Sequence, residues 1–355
     1  MSLGSRGDRL AGVLDDRELD SLLISDLTNV RWLTGFTGTN GAAVVTRERR
    51  LFLTDFRYTE QAEVQVTDFE RLPAGRDLVG DLAERLTGRA GFDDAHLSVR
   101  THAQLSEKVA GGVELTPAGG AVESLREVKD PGEIELIAAA AELASAALER
   151  VLERGLAGRT EREVAMELEQ EMRTAGAEGP SFPSIVAAGP HGALPHAVPR
   201  EREIPAGVLV VMDWGALLDG YCSDCTRTVA TGPLEDEATD AYELVRRAQL
   251  AGLEAVRSGA SCSGVDAVAR EVIAQVGLGE RFGHSLGHGV GLEVHEGPTL
   301  SKRSESDLRA GNVVSVEPGV YLPGKLGVRI EDLVAVTDDG ADVLTRLPKE
   351  LLTVG

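Results

Sequence analysis

The sequence has few of the residues that mark secreted, membrane-bound or nucleic-acid-binding proteins. Three cysteines in 355 residues are too few, and odd in number, for a disulfide scaffold. No run approaches the ~18 apolar residues of a membrane span, and MSLGSRGDRLAGVL lacks the apolar core of a signal peptide. Asp and Glu exceed Lys and Arg by 58 to 36, a net charge of −22, whereas phosphate binding requires clustered cations. We therefore expect a cytoplasmic protein that binds neither membranes nor nucleic acid.

The chain is long enough for two domains, and its pattern changes near the middle. Residues 1–126 alternate short apolar strands with amphipathic helices, which predicts an α/β domain. Residues 118–130, Gly-rich and then charged, are the predicted linker. Residues 127–355 begin with helices and continue with paired strands, more helices and a strand-rich end. This order predicts an α+β domain.

Two aspartates interrupt an apolar stretch that is predicted to form a β-hairpin. Asp213 follows VLVVM, and Asp224 comes eleven residues later. A turn at residues 218–219 would place Asp213 opposite Asp224, whereas a turn at 219–220 would place it opposite Thr226. Both registers put the two carboxylates on one face, because side chains alternate with period two.

A second acidic hairpin is predicted in VVSVEPGVYLPGKLGVRIEDLVAV, near the C-terminus. Glu317 and Glu331 are equidistant from Gly324, so a hairpin centred there would pair them. The segment GHSLGHGVGLEVHEGP, between the two hairpins, supplies three histidines: His284, His288 and His295.

Four carboxylates in contact would raise one another's pKa, and either protons or cations would relieve the repulsion. Two divalent ions carry the matching charge, and one histidine completes a ligand set suited to Mn²⁺, Co²⁺ or Zn²⁺. Metal pairs ~3.5–4 Å apart are a recurring device for making hydroxide at neutral pH. Each piece alone has another explanation: a hydrogen-bonded acid, a solvated hairpin face or ordinary loop histidines. Their joint occurrence indicates a dinuclear metal site.

The segments DWGALLDGYCSDCTRT, FGHSLGHGVGLEVHE, VEPGVY and GVRIED together resemble the pita-bread metallopeptidases. This group includes aminopeptidase P, prolidase and methionine aminopeptidase. LTGFTGTNGAAVVTRERRLFLTDFRYTEQA resembles the N-terminal creatinase-like domain, which methionine aminopeptidases lack. The resemblance implies a creatinase-like α/β domain in residues 1–126, a pita-bread α+β catalytic domain in residues 127–355, and the proline-directed branch of the family.

The resemblance also implies a ligand set for two divalent metal ions, with Mn²⁺ expected and Co²⁺ or Zn²⁺ as alternatives. Asp213 would bind one ion, and Asp224 and Glu331 would bridge both. His288 and Glu317 would complete the other ion. Glu317 would also be the general base.

The other implied site residues face the substrate or support a ligand. His284 and His295 resemble the family's substrate and transition-state histidines. His196, in GALPHAVP, occupies the position of a further substrate-side histidine. Arg329 resembles an arginine that orients a ligand carboxylate.

The implied reaction is hydrolysis of the Xaa-Pro bond at the N-terminus of proline-containing peptides. Many strict dipeptidases of the family carry an arginine four residues after the histidine of the VHE motif, where this chain has Thr299. Lys302, Arg303 or Arg31 could supply a substitute cation. We therefore predict aminopeptidase P-like activity, with a strict Xaa-Pro dipeptidase (prolidase) as the alternative. Further alternatives are an inactive binding module, metal-independent creatinase-like chemistry and a non-peptide metallohydrolase. A homodimer is the default expectation.

Overall fold

The computed structural model describes residues 3–354, with side chains from residue 6 onward. Within this range the chain forms two compact units, one ending at Arg126 and the other beginning at Glu127. Among the described residues, none of the helices combines the length and hydropathy that a membrane crossing would require.

The first unit is built on a mixed six-stranded sheet. Its helices are α1 (Leu3–Asp16), α2 (Leu27–Thr34), α3 (Thr59–Gln65), α4 (Val79–Ala83), α5 (Val99–Lys108) and α6 (Glu123–Arg126). Its strands are β1 (Ser21–Ile24), β2 (Gly41–Thr46), β3 (Arg50–Thr54), β4 (Glu70–Pro73), β5 (Arg89–Phe92) and β6 (Glu114–Pro117). The strand order is β4-β3-β2-β1-β5-β6, antiparallel within β3-β2-β1 and parallel at both ends. Strand residues bury a core with α4 and α5, as expected from apolar strands such as SLLI.

The second unit contains four helices and several small antiparallel sheets in the described residues. The helices are α7 (Pro131–Glu153), α8 (Glu161–Thr174), α9 (Asp236–Ala255) and α10 (Cys262–Ala274). The strands are β7 (Gly179–Pro180), β8 (Ile185–Ala188), β9 (Leu209–Trp214), β10 (Ala216–Leu218), β11 (Tyr221–Cys222), β12 (Cys225–Ala230), β13 (Gly287–Gly289), β14 (Glu296–Leu300), β15 (Val313–Val316), β16 (Gly319–Leu322), β17 (Leu326–Arg329), β18 (Asp332–Val336) and β19 (Ala341–Val343). The sheet orders are β11-β10-β7, β12-β9-β8, β14-β13-β15-β18-β19 and β16-β17.

Two helix pairs cover the strands of this unit. Helices α7 and α8 share an apolar core with β8, β9 and β12, and helices α9 and α10 share another with β15 to β18. Helices α7 and α8 begin where capping boxes predict them, with Asp130 paired to Glu133 and Thr160 paired to Glu163. Each helix pair therefore backs one of the two acidic hairpins with a rigid apolar layer.

The first acidic hairpin adopts the second of the two predicted registers. Asp213 pairs with Thr226 in the β9–β12 ladder, and Leu218 pairs with Tyr221 next to the turn. The central residues Asp219 and Gly220 both have positive φ, 47° and 78°. An Asp-Gly pair tolerates this conformation, which suits the twist of a tight hairpin.

The second acidic hairpin has the predicted register as well. The β16–β17 ladder pairs Gly319 with Arg329, and the β15–β18 ladder pairs Val316 with Asp332. Glu317 and Glu331 lie at matching positions in the short gap between these two ladders. They are thus held on both sides by paired strands, while their own backbone is free of the ladder.

Candidate active site

Three carboxylates from the two hairpins converge in the interior of the second unit. One oxygen from each of Asp213, Asp224 and Glu331 lies within 4.8 Å of the others. Asp224 and Glu331 are 5% and 1% exposed. The Glu331 amide donates to the Thr226 carbonyl at 3.0 Å, which joins the second hairpin to the first. The structure therefore brings together acids that are more than a hundred residues apart in sequence.

The fourth acid and the central histidine adjoin this cluster. His288, in β13, places Nε2 3.2 Å from Glu317 Oε1 and 3.7 Å from Asp224 Oδ2. Its Nδ1 lies 3.1 Å from the Gly289 carbonyl. An Nδ1–H donated to that carbonyl leaves Nε2 as the nitrogen that faces the acids. All five predicted ligands thus lie in one contiguous group.

Burial and mutual repulsion raise the pKa of three of these acids. The pKa of Asp224 is raised by burial and then by the charges of Glu331 and Asp213. Burial and the charges of Glu317 and Asp213 raise the pKa of Glu331. Burial also raises the pKa of Asp213, although Arg329 opposes the effect.

The donor set fits divalent cations. In the described part of the chain, Asp213 Oδ1 and Glu331 Oε1 are buried without a hydrogen-bond partner. A buried, unpaired carboxylate oxygen is costly, and cations remove both this cost and the repulsion between the acids. Carboxylate oxygens with one imidazole nitrogen match the preferences of Mn²⁺, Co²⁺ and Zn²⁺.

Glu317 differs from the other three acids. Burial would raise its pKa, but the hydrogen bond and charge of His288 outweigh burial and lower the pKa to about 2. The same contact raises the pKa of His288 against the effect of burial. Without metal this contact therefore favours the carboxylate form of Glu317 and the imidazolium form of His288. A metal ion on Nε2 would compete with that proton.

Arg329 connects the acids to the rest of the site. Its guanidinium donates to Asp213 Oδ2, to Thr226 Oγ1 at 2.9 Å and to the Tyr321 hydroxyl at 2.8 Å. It also donates to the Pro195 carbonyl at 3.1 Å, and it is 3% exposed. Asp213 is therefore the carboxylate that Arg329 contacts and that it would orient in its predicted supporting role.

Tyr321 received no role from the sequence, although it belongs to the VEPGVY segment. Its hydroxyl lies 3.0 Å from His284 Nε2 as well as beside Arg329. A side chain at Gly319 would place its Cβ 2.7 Å from that hydroxyl, so glycine makes room for it. Tyr321 is four residues after Glu317, so alternation of side chains through β16 would place both on one face and indicates that Tyr321 lies near the acids.

The other two predicted histidines lie on the open side of the site. His295 is exposed, and its ring centroid is 4.4 Å from that of His288. Burial, then the charges of His288 and His196, lower the pKa of His295. His196 is exposed and follows Pro195, whose carbonyl Arg329 holds. Both imidazoles are therefore free to meet a bound molecule.

Comparison with protein-family models gives two matches that together span most of the chain. Residues 6–128 match the creatinase/prolidase N-terminal domain, and residues 135–338 match metallopeptidase family M24. The two matched segments fall on the two compact units described above.

Individual proteins resemble the chain over nearly its whole length. An Xaa-Pro dipeptidase of Pyrococcus furiosus is 36% identical over 352 residues, covering 98% of this chain and 99% of that protein. The solved structure of an Xaa-Pro dipeptidase from Bacillus anthracis is 39% identical, with a TM-score of 0.97 and coverage of 99% and 100%. The structure of an X-Pro aminopeptidase from Thermotoga maritima is 37% identical, with a TM-score of 0.90 and coverage of 98% and 100%.

Proposed function

Because the chain belongs to metallopeptidase family M24, we propose that it is an Xaa-Pro dipeptidase, which hydrolyses dipeptides that end in proline. The architecture is a creatinase N-terminal domain followed by the pita-bread catalytic domain of this family. The observation that carries the proposal is the full-length similarity to two proteins named as Xaa-Pro dipeptidases. The aminopeptidase P-like activity predicted from sequence is less well supported than its dipeptidase alternative.

The family implies divalent metal ions, and we propose that two of them, Mn²⁺ by preference, bind the acidic cluster. The residues that would hold them are Asp213, Asp224, His288, Glu317 and Glu331. Bound there, divalent ions supply Lewis acidity toward a carbonyl oxygen and lower the pKa of water. The support is the pair of orphaned oxygens and the mutual repulsion of the acids.

The protein side chains have distinct proposed roles in the reaction. Glu317 is ionised at neutral pH and is the proposed general base. His284, with Nδ1 2.7 Å from the Ser285 carbonyl and Nε2 beside the Tyr321 hydroxyl, presents a fixed imidazole to the substrate. His295 and His196 are the proposed partners of the substrate on the open side.

This site suits the Xaa-Pro bond because that bond is a tertiary amide without an N–H. A protease that aligns its substrate through backbone hydrogen bonds loses a donor at proline. Recognition through imidazoles and acids requires no such donor. The charged amino terminus of the substrate would lie toward the carboxylates.

Aminopeptidase P-like activity remains a second candidate because of one observation in the structure. Thr299 in β14 pairs directly with His288 and is exposed, so its side chain stands on the same face as a proposed ligand. A cation there could form an ion pair with the carboxylate of a dipeptide, whereas the neutral threonine cannot. Lys302 and Arg303 follow on an exposed loop, and neither forms an ion pair within residues 3–354.

A comparison of two substrates tests the proposal. Mn²⁺-loaded protein is assayed with an Xaa-Pro dipeptide and with the tripeptide extended by alanine, using Asp224→Asn as the control for contaminating activity. We expect kcat/KM to favour the dipeptide by more than tenfold, about 1.4 kcal/mol. Equal or faster hydrolysis of the tripeptide would transfer the assignment to aminopeptidase P-like activity.

A cytoplasmic location and a homodimeric state stay predictions. All three cysteines are buried as free thiols, which a reducing compartment would preserve. Light scattering of the purified protein measures the oligomeric state.

A further inference from the structure

The imidazole of His284 depends on an irregular loop for its position. The loop runs from Phe282 to Leu286, directly before β13. His284 packs edge-on against Phe282, with ring centroids 5.0 Å apart. Because the ring's partners are its own neighbours and the Tyr321 hydroxyl, any shift of the loop backbone moves the ring.

An ion pair on α10, between Asp266 and Arg270, holds this backbone. Arg270 donates to the Phe282 carbonyl at 2.7 Å and to the His284 carbonyl at 2.8 Å. Asp266 Oδ1 accepts from the Leu286 amide at 3.1 Å. The guanidinium also lies 4.0 Å from the centroid of the Phe282 ring. Two side chains thus hold alternate residues of the loop.

The ion pair itself is bidentate and largely buried. Arg270 donates Nε–H to Asp266 Oδ2 at 2.9 Å and an NH2 hydrogen to Asp266 Oδ1 at 2.7 Å. The side chain of Asp266 is fully buried and that of Arg270 is 12% exposed. The planar guanidinium fork of Arg270 binds the Asp266 carboxylate through Nε and NH2, and it binds the two loop carbonyls through its other hydrogens. These contacts fix its orientation, and the flexible ammonium of a lysine cannot reproduce them.

We propose that Asp266 and Arg270 are positioning residues, which set the place of His284 in the reaction while touching neither metal nor substrate. The proposal rests on the function proposed above for His284. It extends the site to helix α10, which packs against α9 and carries no residue of the acidic cluster. Loss of the fork should leave the acids in place and loosen the loop.

The experiment compares Arg270→Met and Arg270→Lys with a matched control, Arg246→Met. Arg246 forms a similar pair with Glu243 on α9, with contacts of 3.0 and 2.9 Å, but holds no loop carbonyl in the part of the chain that the structure describes. We expect Arg270→Met to lower kcat by about 10–100-fold, the usual effect of a misplaced group, with little change in KM or in Mn²⁺ affinity. Arg270→Lys keeps the charge pair and the fold but not the fork, and should lose most of the same activity. Arg246→Met should behave as wild type.

Two further measurements separate positioning from general damage. In a His284→Ala background, Arg270→Met should lower kcat by less than about twofold, because its target is gone. In the metal-free protein, hydrogen exchange of a peptide covering residues 282–288 should accelerate in both Arg270 variants and not in Arg246→Met. An equal loss of kcat in both backgrounds, or unchanged exchange of residues 282–288, would overturn the proposal. The exchange result stands even if no Xaa-Pro peptide is a substrate, so failure of the proposed function would be recognised separately.

Discussion

Removal of one charge from the acidic cluster should stabilise the metal-free protein and weaken metal binding at the same time. Glu331→Gln is the change of choice, because glutamine keeps the size of the side chain and an oxygen for Thr226 Oγ1, which donates to Glu331 Oε2 at 2.8 Å. The introduced amide also places donors near Asp213 and Asp224. The expected result is opposite to the usual effect of changing a buried, hydrogen-bonded residue.

The size of the effect follows from the geometry. The three ligand atoms all lie within 4.8 Å of one another, and two unit charges 4.8 Å apart repel by about 3.5 kcal/mol at an effective dielectric constant of 20. With two such neighbours the repulsion exceeds the cost of protonating a glutamate at pH 7.5, about 4 kcal/mol. The cost of protonation is therefore the upper limit of the destabilisation that Glu331 causes in the metal-free protein, and the attraction of Arg329 reduces this destabilisation. We expect the free energy of unfolding to rise by about 1–3 kcal/mol, or about 3–10 °C in Tm for a unit of this size.

The assay is thermal unfolding of chelator-treated protein, with Glu161→Gln as the control. Glu161 is also 1% exposed, but it accepts from Arg200 Nε and NH2 at 3.0 Å each and from His191 Nδ1 at 2.9 Å. Burial would raise the pKa of Glu161, yet these contacts lower it. Glu161→Gln should therefore destabilise the protein, by about 1–3 kcal/mol. Two buried glutamates of equal exposure should thus respond with opposite signs.

The pH dependence gives a second check. The pKa of Glu331 is raised in the folded protein, so the glutamate does not destabilise the fold below its unfolded pKa of about 4.3. The destabilisation grows as the pH rises from there to the folded pKa. The gain from Glu331→Gln should be larger at pH 8 than at pH 5. Saturating Mn²⁺ should stabilise wild type and stabilise the variant less. A fall in Tm of the metal-free Glu331→Gln protein at pH 8 would refute the electrostatic reasoning.

Four further results are expected. Elemental analysis should find about two divalent ions per chain, and Glu331→Ala should lose most of them. Alanine at His284, His295 or His196 should lower kcat by ~10²–10³ while metal content stays near wild type; loss of metal would show that these histidines are ligands. Tyr321→Phe should lower kcat by about tenfold and leave Mn²⁺ affinity unchanged by calorimetry, as loss of the hydrogen bond between its hydroxyl and His284, ~1.4 kcal/mol, predicts. Thr226→Val should do the reverse, with weaker Mn²⁺ binding and a smaller loss of kcat.

The hairpins could be predicted because their information is local. Alternation with period two fixes which side chains share a face, and the positions of Glu317 and Glu331 about Gly324 fix one register. For the first hairpin the sequence permits two registers, since LLDGY allows a turn one residue earlier or later. The positive φ of both Asp219 and Gly220 explains the choice, and the preference of Asp-Gly for such turns could have decided it.

The supporting contacts could not be predicted, because they depend on how helices and loops pack. An Asp266–Arg270 pair at i and i+4 is typical of a solvated helix face, and only the tertiary structure shows it bound to the loop of His284. The expectation drawn from Thr299 shows that one position is a weak guide to substrate preference. The missing cation at this position favours an aminopeptidase, whereas similarity over the whole chain favours a dipeptidase.

The direction of each hydrogen bond around Arg329 explains why Tyr321→Phe and Thr226→Val should differ. A guanidinium only donates, so Thr226 Oγ1 and the Tyr321 hydroxyl each accept from Arg329 and must give their single hydrogen elsewhere. Thr226 then donates to Glu331 Oε2, and Tyr321 donates to His284 Nε2. The second bond requires neutral His284 with its proton on Nδ1, the proton that its 2.7 Å contact to the Ser285 carbonyl also uses. Burial lowers the pKa of His284 and so favours the neutral ring. One arm of Arg329 therefore orders Glu331, a proposed metal ligand, and the other fixes the tautomer of His284, the imidazole proposed to face the substrate, so cutting either arm leaves the other intact.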